Sequence, residues 1–350
     1  MDSKLKHRTP NSKLKTQKGV ALIMVLWIIA ILSVVVLEFC FGMRTEVNIT
    51  KNFKDELQLY AMAEGGVQRA NLELIYKHDA KVQQLRKTWK AEEIPPEKKE
   101  WLTDGRPYLL PFNQGVCEIR IMSEAGKINI NTVSEITLRK VMGNLGLEVE
   151  ARDIVVDSIM DWRDPDDFYR VNGAENDYYQ SLKEPYNCKN GNLDSIEELL
   201  LVRGVTSDLF YGRKEIKKGE EGIKVDRVGL KDIFSIYSSG EQIDINSATP
   251  LVLRYVLGIP EEVSRLIVKA REEKGFENQQ DLLQRVPELS PFIGEVGKFL
   301  VYRSTISYYT IESRGKSKEG GSVRSLKVIV KIDPKEKKGY KIIQWVDALL

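Results

Sequence analysis

The densest set of side chains that could do chemistry is an acidic stretch in the middle of the chain. Its carboxylates are, in order, Asp161, Asp164, Asp166, Asp167, Glu175 and Asp177. Carboxylate oxygens are the ligands that calcium prefers. The spacing is not that of an EF-hand, because Phe168 occupies one of the alternating ligand positions and no glycine follows it. From these residues alone, a calcium site and a solvated acidic loop both remain open.

Motifs typical of covalent or acid–base catalysis are missing from the sequence. His7 and His78 are the only histidines, and there is no Gly-x-Ser-x-Gly, Gly-x-Gly-x-x-Gly or Cys-x-x-Cys motif. Gly315-Lys316-Ser317 looks like the end of a phosphate-binding loop, but Thr310 stands where the first glycine would be needed. We therefore expect a protein that is not an enzyme and has no zinc site.

The three cysteines are Cys40, Cys117 and Cys188. Cys40 follows the apolar N-terminal run. Cys117 and Cys188 would lie outside a membrane, where an oxidising compartment allows a disulfide. Two isolated core thiols explain the same residues equally well, so both alternatives stay open.

An uncharged run from Val20 to Leu37 is the most apolar part of the chain. As a helix, these residues would span about 27 Å, close to the thickness of a bilayer core. The run is too long for a signal-peptide core, and residues 39–43 offer no small-x-small cleavage site. Gly19 follows Lys18 directly before the run. An uncut signal anchor and a chain cut after Gly19 are both compatible with this arrangement.

Charge is distributed unevenly along the chain. The formal net charge is +2, from 53 basic and 51 acidic residues. Residues 1–19 hold six of the basic residues and one acidic residue, so the remainder has 47 against 50, a net charge of −3. A basic leader before an apolar run predicts that the N-terminus stays inside. The acidic remainder argues against general nucleic-acid binding.

Hydrophobic periodicity divides the rest of the chain. Apolar residues recur at three- and four-residue spacing after Arg44. This spacing predicts that the N-terminal helix continues to about Tyr76, with a loosening at Gly65-Gly66. A polar connector containing Pro95-Pro96 and a turn-rich stretch at residues 104–107 follow. Alternation of apolar and polar residues predicts a strand over 115–122. Further strands are expected at 304–313, 322–332 and 341–346, with turns at Gly320-Gly321 and Lys338-Gly339.

An internal repeat fills the region between these strands. Lys127-Ile-Asn-Ile-Asn-Thr132 recurs as Gln242-Ile-Asp-Ile-Asn-Ser247. Each copy continues into two helices around a glycine turn, the second helices spanning 150–160 and 261–273. Thr132 or Ser134 would cap the first copy, and Ser247 or Thr249 the second. Residues 195–210 resemble a third hairpin.

These units are similar to helix-hairpin-helix modules, whose turn N–H groups bind DNA phosphate. Pro260 stands in place of the second turn glycine and has no N–H to donate, and Glu261-Glu262 would repel a phosphate. We therefore expect the hairpins to be structural or to bind protein.

An ordered set of short motifs resembles one known family. They are Gly19 before the apolar run, Ala63-Glu-Gly-Gly-Val67, Gly126-Lys-Ile-Asn-Ile-Asn131, Asp161-Trp-Arg-Asp164, Asn172-Gly-Ala-Glu-Asn-Asp-Tyr-Tyr179, Glu197-Glu-Leu-Leu-Leu-Val-Arg-Gly204 and Ile243-Asp-Ile-Asn246. Together they resemble minor pseudopilin K of the type II secretion system, also called general secretion pathway protein K. The resemblance covers nearly the whole chain.

The resemblance implies an α+β pseudopilin fold, in which a long N-terminal helix packs on a small antiparallel sheet. A large all-helical domain containing the duplicated helix-hairpin-helix-like units would be inserted in it. The expected divisions are a removed leader at 1–19, a transmembrane helix at 20–43, the first part of the pseudopilin domain at 44–125, the insert at 126–303 and the C-terminal sheet at 304–350.

The resemblance also implies processing and partners. A prepilin peptidase would cut between Gly19 and Val20, and the Val20 amine would be methylated. The chain would sit in the inner membrane with its bulk in the periplasm. It would join minor pseudopilins I and J in a pseudopilus tip complex that nucleates assembly and helps to export folded proteins. Some members bind calcium in the inserted region or its loops, which makes the six acidic residues candidate ligands without fixing which of them would bind.

Met24 replaces the glutamate that most pilin-like subunits carry five residues into the mature chain. That glutamate is thought to pair with the amine of a neighbouring subunit. A subunit at the very tip has no neighbour above it, and an unpaired charge in a membrane is costly. Met24 is therefore consistent with a tip position.

Two other functions remain open at this point: a membrane-anchored DNA-binding protein and a minor pilin of a related type IV system.

Overall fold

The computed structural model describes residues 17–88, 100–212, 214–215, 225–226, 228–318 and 322–348. Most of the predicted leader, the Pro95-Pro96 connector and the Gly320-Gly321 turn lie outside these ranges. Residues up to Gln58 form one compact unit, and residues from Leu59 onward form a second.

The first helix, α1, runs from Gln17 to His78, and α2 follows at Ala80–Thr88. The prediction of one long helix is confirmed. Within α1, the most apolar 18-residue window from Val20 onward has a mean hydropathy of 3.2 and is not buried. By length and composition, this segment is able to cross a membrane.

An antiparallel sheet forms the base of the second unit. Its strands are β1 (Asp104–Phe112), β2 (Gly115–Ser123), β9 (Tyr308–Ser317), β10 (Val323–Ile332) and β11 (Tyr340–Ala348), which lie in that spatial order. The four strands predicted from alternation and β-branched content are confirmed within a few residues. The alternation of β2 is complete, with every second side chain from Gly115 to Ser123 buried.

Strand β1 corrects the prediction of a turn-rich stretch at residues 104–107. Asp104 pairs with Met122 and Pro107 pairs with Arg120, with a register shift between the two pairs. Prolines and a bulge are tolerated there because β1 is an edge strand. Local turn propensity is thus overridden by pairing with β2.

The part of α1 from Leu59 onward packs on this sheet. Ala63, Val67, Ala70 and Leu74 share a buried core with Ile119 and other apolar residues of the strands. The expected loosening at Gly65-Gly66 is wrong, because α1 continues through both glycines. A side chain at Gly66 would place Cβ 2.5 Å from Cys117 Sγ. Gly66 therefore allows the close approach of helix and sheet.

A helical domain is inserted between the neighbouring strands β2 and β9. Its helices are α3 (Glu135–Asn144), α4 (Val149–Arg163), α5 (Asn176–Gln180), α6 (Ser207–Tyr211), α7 (Leu230–Ile233), α8 (Pro250–Tyr255), α9 (Glu261–Glu273), α10 (Gln279–Arg285) and α11 (Ile293–Val296). Two-residue strands pair beside them: β3 (Ile128–Asn129) with β6 (Phe234–Ser235), β4 (Lys214–Glu215) with β5 (Val225–Asp226), and β7 (Ile243–Asp244) with β8 (Leu300–Val301). A separate apolar core fills this domain.

The two copies of the sequence repeat have the same hydrogen bonds. The Asn131 side chain binds the backbone N–H and C=O of Leu193 at 2.8 and 3.0 Å. Asn246 binds Phe276 in the same way at 2.7 and 2.9 Å. Both asparagines therefore fasten a distant segment to the start of their hairpin.

An arginine completes each copy. Arg163 donates to the carbonyls of Ile130 and Val133, at 2.6 and 2.5 Å. Arg271 donates to those of Ile245 and Ala248, at 2.8 and 2.7 Å. The duplication predicted from the sequence is thus present in detail.

The structure also decides between the candidate N-caps. Ser134 Oγ accepts a hydrogen bond from the Thr137 N–H, and Thr249 Oγ1 accepts one from the Val252 N–H, at 3.3 and 3.2 Å. The second helix of the second copy has the predicted bounds, Glu261–Glu273. The third hairpin is formed by a 3-10 turn at Ile196–Leu201 and by α6. Gly315-Lys316-Ser317 lies within β9, so it forms no phosphate-binding loop.

Candidate functional site

Three of the six predicted carboxylates converge. One carboxylate oxygen each of Asp164, Asp166 and Glu175 lie within 4.8 Å of one another. Asp164 is the C-cap of α4, and Glu175 is the N-cap of α5. The end of one helix and the beginning of the next therefore bring together acids that are eleven residues apart.

Glu175 is the unusual member of this cluster. Its side chain is about 1% exposed, and neither carboxylate oxygen has a hydrogen-bond partner. Desolvation, followed by the nearby charges of Asp161 and Asp164, raises the pKa of Glu175 to about 7. Leaving a buried carboxylate without donors is costly, so the site favours either a proton or a cation there.

Two further oxygens point to a cation rather than a chance crowding of acids. Asp164 Oδ1 and Asn190 Oδ1 are both buried without a hydrogen-bond partner. The Asn190 Nδ2 group donates to the Asp166 carbonyl and to Asp167 Oδ1, at 3.2 and 2.8 Å, which holds Asn190 beside the cluster. Carboxylate and amide oxygens from several segments match the chemistry of a calcium site.

The other three predicted ligands have different partners. Arg170 donates to Asp161 Oδ1 at 2.7 Å, and burial raises the pKa of this aspartate in spite of that bond. Asp167 accepts from Asn190, and Asp177 accepts from the N–H of Tyr178 at 2.7 Å. Of the six predicted ligands, the structure therefore brings together Asp164, Asp166 and Glu175, and calcium binding itself stays a prediction.

Sequence reasoning missed Asn190. This residue has a positive φ of 46°, the only such non-glycine residue among those that the structure describes. The pair Asn190-Gly191 was a turn signal that could have drawn notice. Nothing local to it, however, indicated that the turn returns to a loop more than twenty residues earlier.

The turns of the two hairpins contact each other. Gly146 and Gly258 have positive φ values of 83° and 75° and turn the two hairpins. Asn144 of the first hairpin donates to the Tyr255 carbonyl of the second at 2.8 Å. The two turns therefore contact each other at this point.

The start of α9 is acidic. Pro260 occupies its N-cap, and Glu261 pairs with Arg254 at 2.9 Å and also with Arg265. Arg254 and Arg265 are thus paired with a carboxylate, while Lys140 donates to the Leu257 carbonyl beside the turn at 3.5 Å.

The predicted cleavage site lies on α1. Gly19 and Val20 are in its helical backbone, and Met24 is exposed in the apolar window. Residues 1–16 of the leader lie outside the described ranges. Their basic charge is therefore known only from the sequence.

The structure does not bring Cys117 and Cys188 together. Both are free thiols. Cys117 is buried between α1 and the sheet, and its sulfur lies 3.1 Å from Ser313 Oγ. Cys188 packs against the core of the helical domain. Of the two alternatives that the sequence left open, this structure has the isolated thiols, because the two sulfurs belong to different cores.

Comparison with known proteins agrees with this architecture. Residues 120–212 match the family described as type II secretion system (T2SS), protein K, and residues 238–293 match the helix-hairpin-helix motif. Type II secretion system protein K of Pseudomonas aeruginosa is 24% identical over 80% of each chain. That of Pectobacterium carotovorum subsp. carotovorum is 38% identical over 21% of this chain and 22% of its own length.

A solved structure has the same fold. A chain in the crystal structure of the GspK-GspI-GspJ complex from the enterotoxigenic Escherichia coli type 2 secretion system matches with a TM-score of 0.57 and 16% identity. The match covers 87% of this chain and 100% of that chain. The long helix, the antiparallel sheet and the inserted helical domain are thus a pseudopilin fold. The motif order, the relatives that match along most of the chain and the shared fold all make this chain similar to type II secretion system protein K.

Proposed function

We propose that the chain is a minor pseudopilin that caps the tip of a type II secretion pseudopilus, nucleates its assembly and helps to export folded proteins. The observation that carries the proposal is α1. Its apolar first part is suited to a membrane or a helical bundle, and its last turns pack on the sheet. The helical insert adds bulk beside the sheet, which suits a subunit that ends a fibre.

The proposed partners are minor pseudopilins I and J, which are the other proteins in the solved complex of similar fold. The chain would be anchored in the inner membrane by residues 20–43 with its bulk in the periplasm. A prepilin peptidase would cut after Gly19 and leave a methylated Val20. The basic leader and the apolar run support these steps, together with the similarity to type II secretion system protein K.

The intact mass of the N-terminal peptide tests this proposal. The chain should be co-expressed with a prepilin peptidase and with pseudopilins I and J. We expect a chain that begins at methylated Val20 and co-purifies with both partners. An uncut leader would contradict the processing step, and a mature chain that binds neither pseudopilin would contradict the tip assignment.

We further propose that the chain binds calcium through Asp164, Asp166 and Glu175, with Asn190 as an additional oxygen ligand. The four unpaired oxygens on Glu175, Asp164 and Asn190 support this site. A calcium ion would supply the positive charge that these groups lack, and would tie the end of α4 to the start of α5 and to the Asn190 turn. Calorimetric titration of the metal-free protein with calcium tests the site, with magnesium as the comparison ion.

A further inference from the structure

The two hairpin turns enclose a groove that neither the tip assignment nor the calcium site uses. The groove has a volume of about 690 Å³ and lies between the first hairpin, the second hairpin and α6. This volume is comparable with that of ordinary binding sites. Its apolar lining consists of Leu145, Leu147, Leu209, Val228, Tyr255 and Ile259. An open apolar groove of this kind is fully removed from water only when a second molecule fills it.

The backbone donors of the turn glycines are already used. The Gly146 N–H donates to the Gly143 carbonyl at 2.9 Å, and the Gly258 N–H donates to the Arg254 carbonyl at 3.0 Å. These glycines therefore offer no donor to a phosphate or to the backbone of an extended peptide. A segment that binds here must satisfy its own backbone groups, as an α-helix does.

The groove is bordered by carboxylates that have no partner. Glu150 and Glu262 occupy equivalent positions, four residues after the turn glycines Gly146 and Gly258, and Glu148 is the N-cap of α4. All three glutamates are exposed. Within the part of the chain that the structure describes, none of their side chains forms a salt bridge or a hydrogen bond. Their negative charge is therefore available to a second molecule.

The basic side chains beside the groove do not cancel this charge. Arg254 pairs with Glu261 at 2.9 Å, and Lys140 donates to the Leu257 carbonyl at 3.5 Å. Acidic residues in a first turn also stabilise a helix through its dipole, but that contribution does not explain an apolar groove beside them. Unpaired carboxylates around such a groove repel nucleic acid and anionic lipid. They complement Lys or Arg side chains of a protein.

We propose that this groove docks an amphipathic helix of a protein partner. The helix would place apolar side chains, spaced three and four residues apart, against Leu147 and Ile259. Lys or Arg side chains at the borders of its apolar face would lie opposite Glu148, Glu150 and Glu262. This inference goes beyond the tip assignment and does not depend on it, because every residue that it uses lies in the helical domain.

Photo-cross-linking of the full-length chain, in a host that carries the whole secretion system, tests the proposal. Benzoylphenylalanine replaces Tyr255, which lines the groove, or Tyr169, which is 50% exposed beyond the other end of α4 and serves as the matched control. We expect a cross-link to another protein from Tyr255 but not from Tyr169. The captured segment, identified by mass spectrometry, should have apolar residues at helical spacing with Lys or Arg beside them.

Three results of this experiment would overturn the proposal. The first is a yield from Tyr255 no higher than that from Tyr169. The second is cross-linking only to lipid, to nucleic acid, to a second copy or within the chain itself. The third is a captured segment that lacks basic residues.

Removal of charge at the border provides the second measurement. The double variant Glu150→Gln/Glu262→Gln should lower the cross-link yield from Tyr255 by about fivefold or more, because its attraction to basic side chains is lost. Glu288→Gln/Glu295→Gln removes the same charge from exposed glutamates outside the groove and should leave the yield unchanged. Circular dichroism should show the same helix content in both variants, since all four side chains are exposed. Equal yields from the two variants would contradict the basic border of the partner, and with it the proposed occupant.

Discussion

At the scale of single residues, Glu175 has the most unusual environment in the candidate site. It is buried, has no hydrogen-bond donor and faces several other carboxylates. A neighbouring Asp177, which the sequence also suggested as a ligand, is exposed and caps a backbone N–H instead. The two residues therefore make a matched pair for testing the site.

Replacing Glu175 by Gln should weaken calcium binding strongly. The substitution removes a charged ligand, so we expect a loss at least as large as the roughly 10–100-fold typical of losing a supporting group around a metal. Asp177→Asn should bind calcium as the wild type does. Calorimetric titration of both variants measures the difference, and equal affinities would rule out Glu175 as a ligand.

The same residue should give the metal-free protein a distinctive pH dependence. The pKa of Glu175 is raised from an ordinary 4.5 to about 7, so the folded state binds more protons than the unfolded state between these values. Its contribution to stability is therefore fully present below pH 4.5 and is lost as pH rises through 7. The shift corresponds to at most about 3 kcal/mol. Denaturant unfolding from pH 5 to 8 should show a free energy of unfolding that falls as pH rises through 7. The variant Glu175→Gln should lack this fall.

At the scale of elements, the contact between α1 and the sheet depends on one of two adjacent glycines. A Cβ at Gly66 would meet Ser313 Oγ and Cys117 Sγ, both within the buried core. A Cβ at Gly65 would meet only Phe112, at 3.4 Å. The two positions have the same helical backbone and differ in the space around them.

Gly66→Ala should destabilise the protein, and Gly65→Ala should not. Overpacking at Gly66 should cost about 1–3 kcal/mol of unfolding free energy. At Gly65, the gain in helix propensity should offset the mild contact and give between zero and about 1 kcal/mol of stabilisation. Chemical denaturation of the two variants provides the measurement. A stable Gly66→Ala variant would show that α1 can move away from the sheet.

At the scale of the whole second unit, a buried ion pair joins the inserted domain to the pseudopilin sheet. Arg271 of α9 donates to Asp104 of β1 at 2.9 Å, and both side chains are buried. Burial by itself would raise the pKa of Asp104, but hydrogen bonds from Arg106 and Arg271 hold it below its usual value. The equivalent Arg163 lies in the other hairpin copy, so only one copy makes this connection to β1.

Arg271→Met should therefore cost more than Arg106→Met. Breaking a buried pair typically costs about 3–5 kcal/mol, because the remaining charge stays buried. Arg106 is partly exposed, and its loss leaves Asp104 with Arg271, so about 1 kcal/mol is expected. Differential scanning calorimetry of the two variants measures the loss of stability in each. Equal losses would contradict a larger contribution from the buried Arg271–Asp104 pair.

The proposed tip position makes a prediction for Met24. A glutamate there would have no amine partner above it, and a charge in a membrane helix costs roughly 2.5–3.5 kcal/mol at its centre. Met24→Glu should therefore lower the amount of chain recovered with pseudopilins I and J, while Met24→Leu should have no effect. Quantitative immunoblotting of the purified complex checks this. Normal recovery of Met24→Glu would contradict the argument that a tip subunit avoids this charge.

The sequence by itself determined the long helix, four strands of the sheet and the duplicated hairpins. These features follow from local rules, since hydrophobic periodicity records which face of a helix or strand is buried. The repeat was visible because both copies preserve the residues that make its internal bonds, such as Asn131 and Asn246. The tertiary structure decided the rest. Strand β1 formed where turn residues were expected, because pairing with β2 outweighs local propensity.

The choice of acids that converge and the separation of the two cysteines were also decided only by the fold. Three of the six acids converge, and Asn190 joins them from a separate turn, because the paths of loops set which oxygens meet. Cys117 and Cys188 remain apart because they pack in different cores. Composition and spacing along the chain carry no information about such distant contacts, which depend on how helices and sheet are packed together.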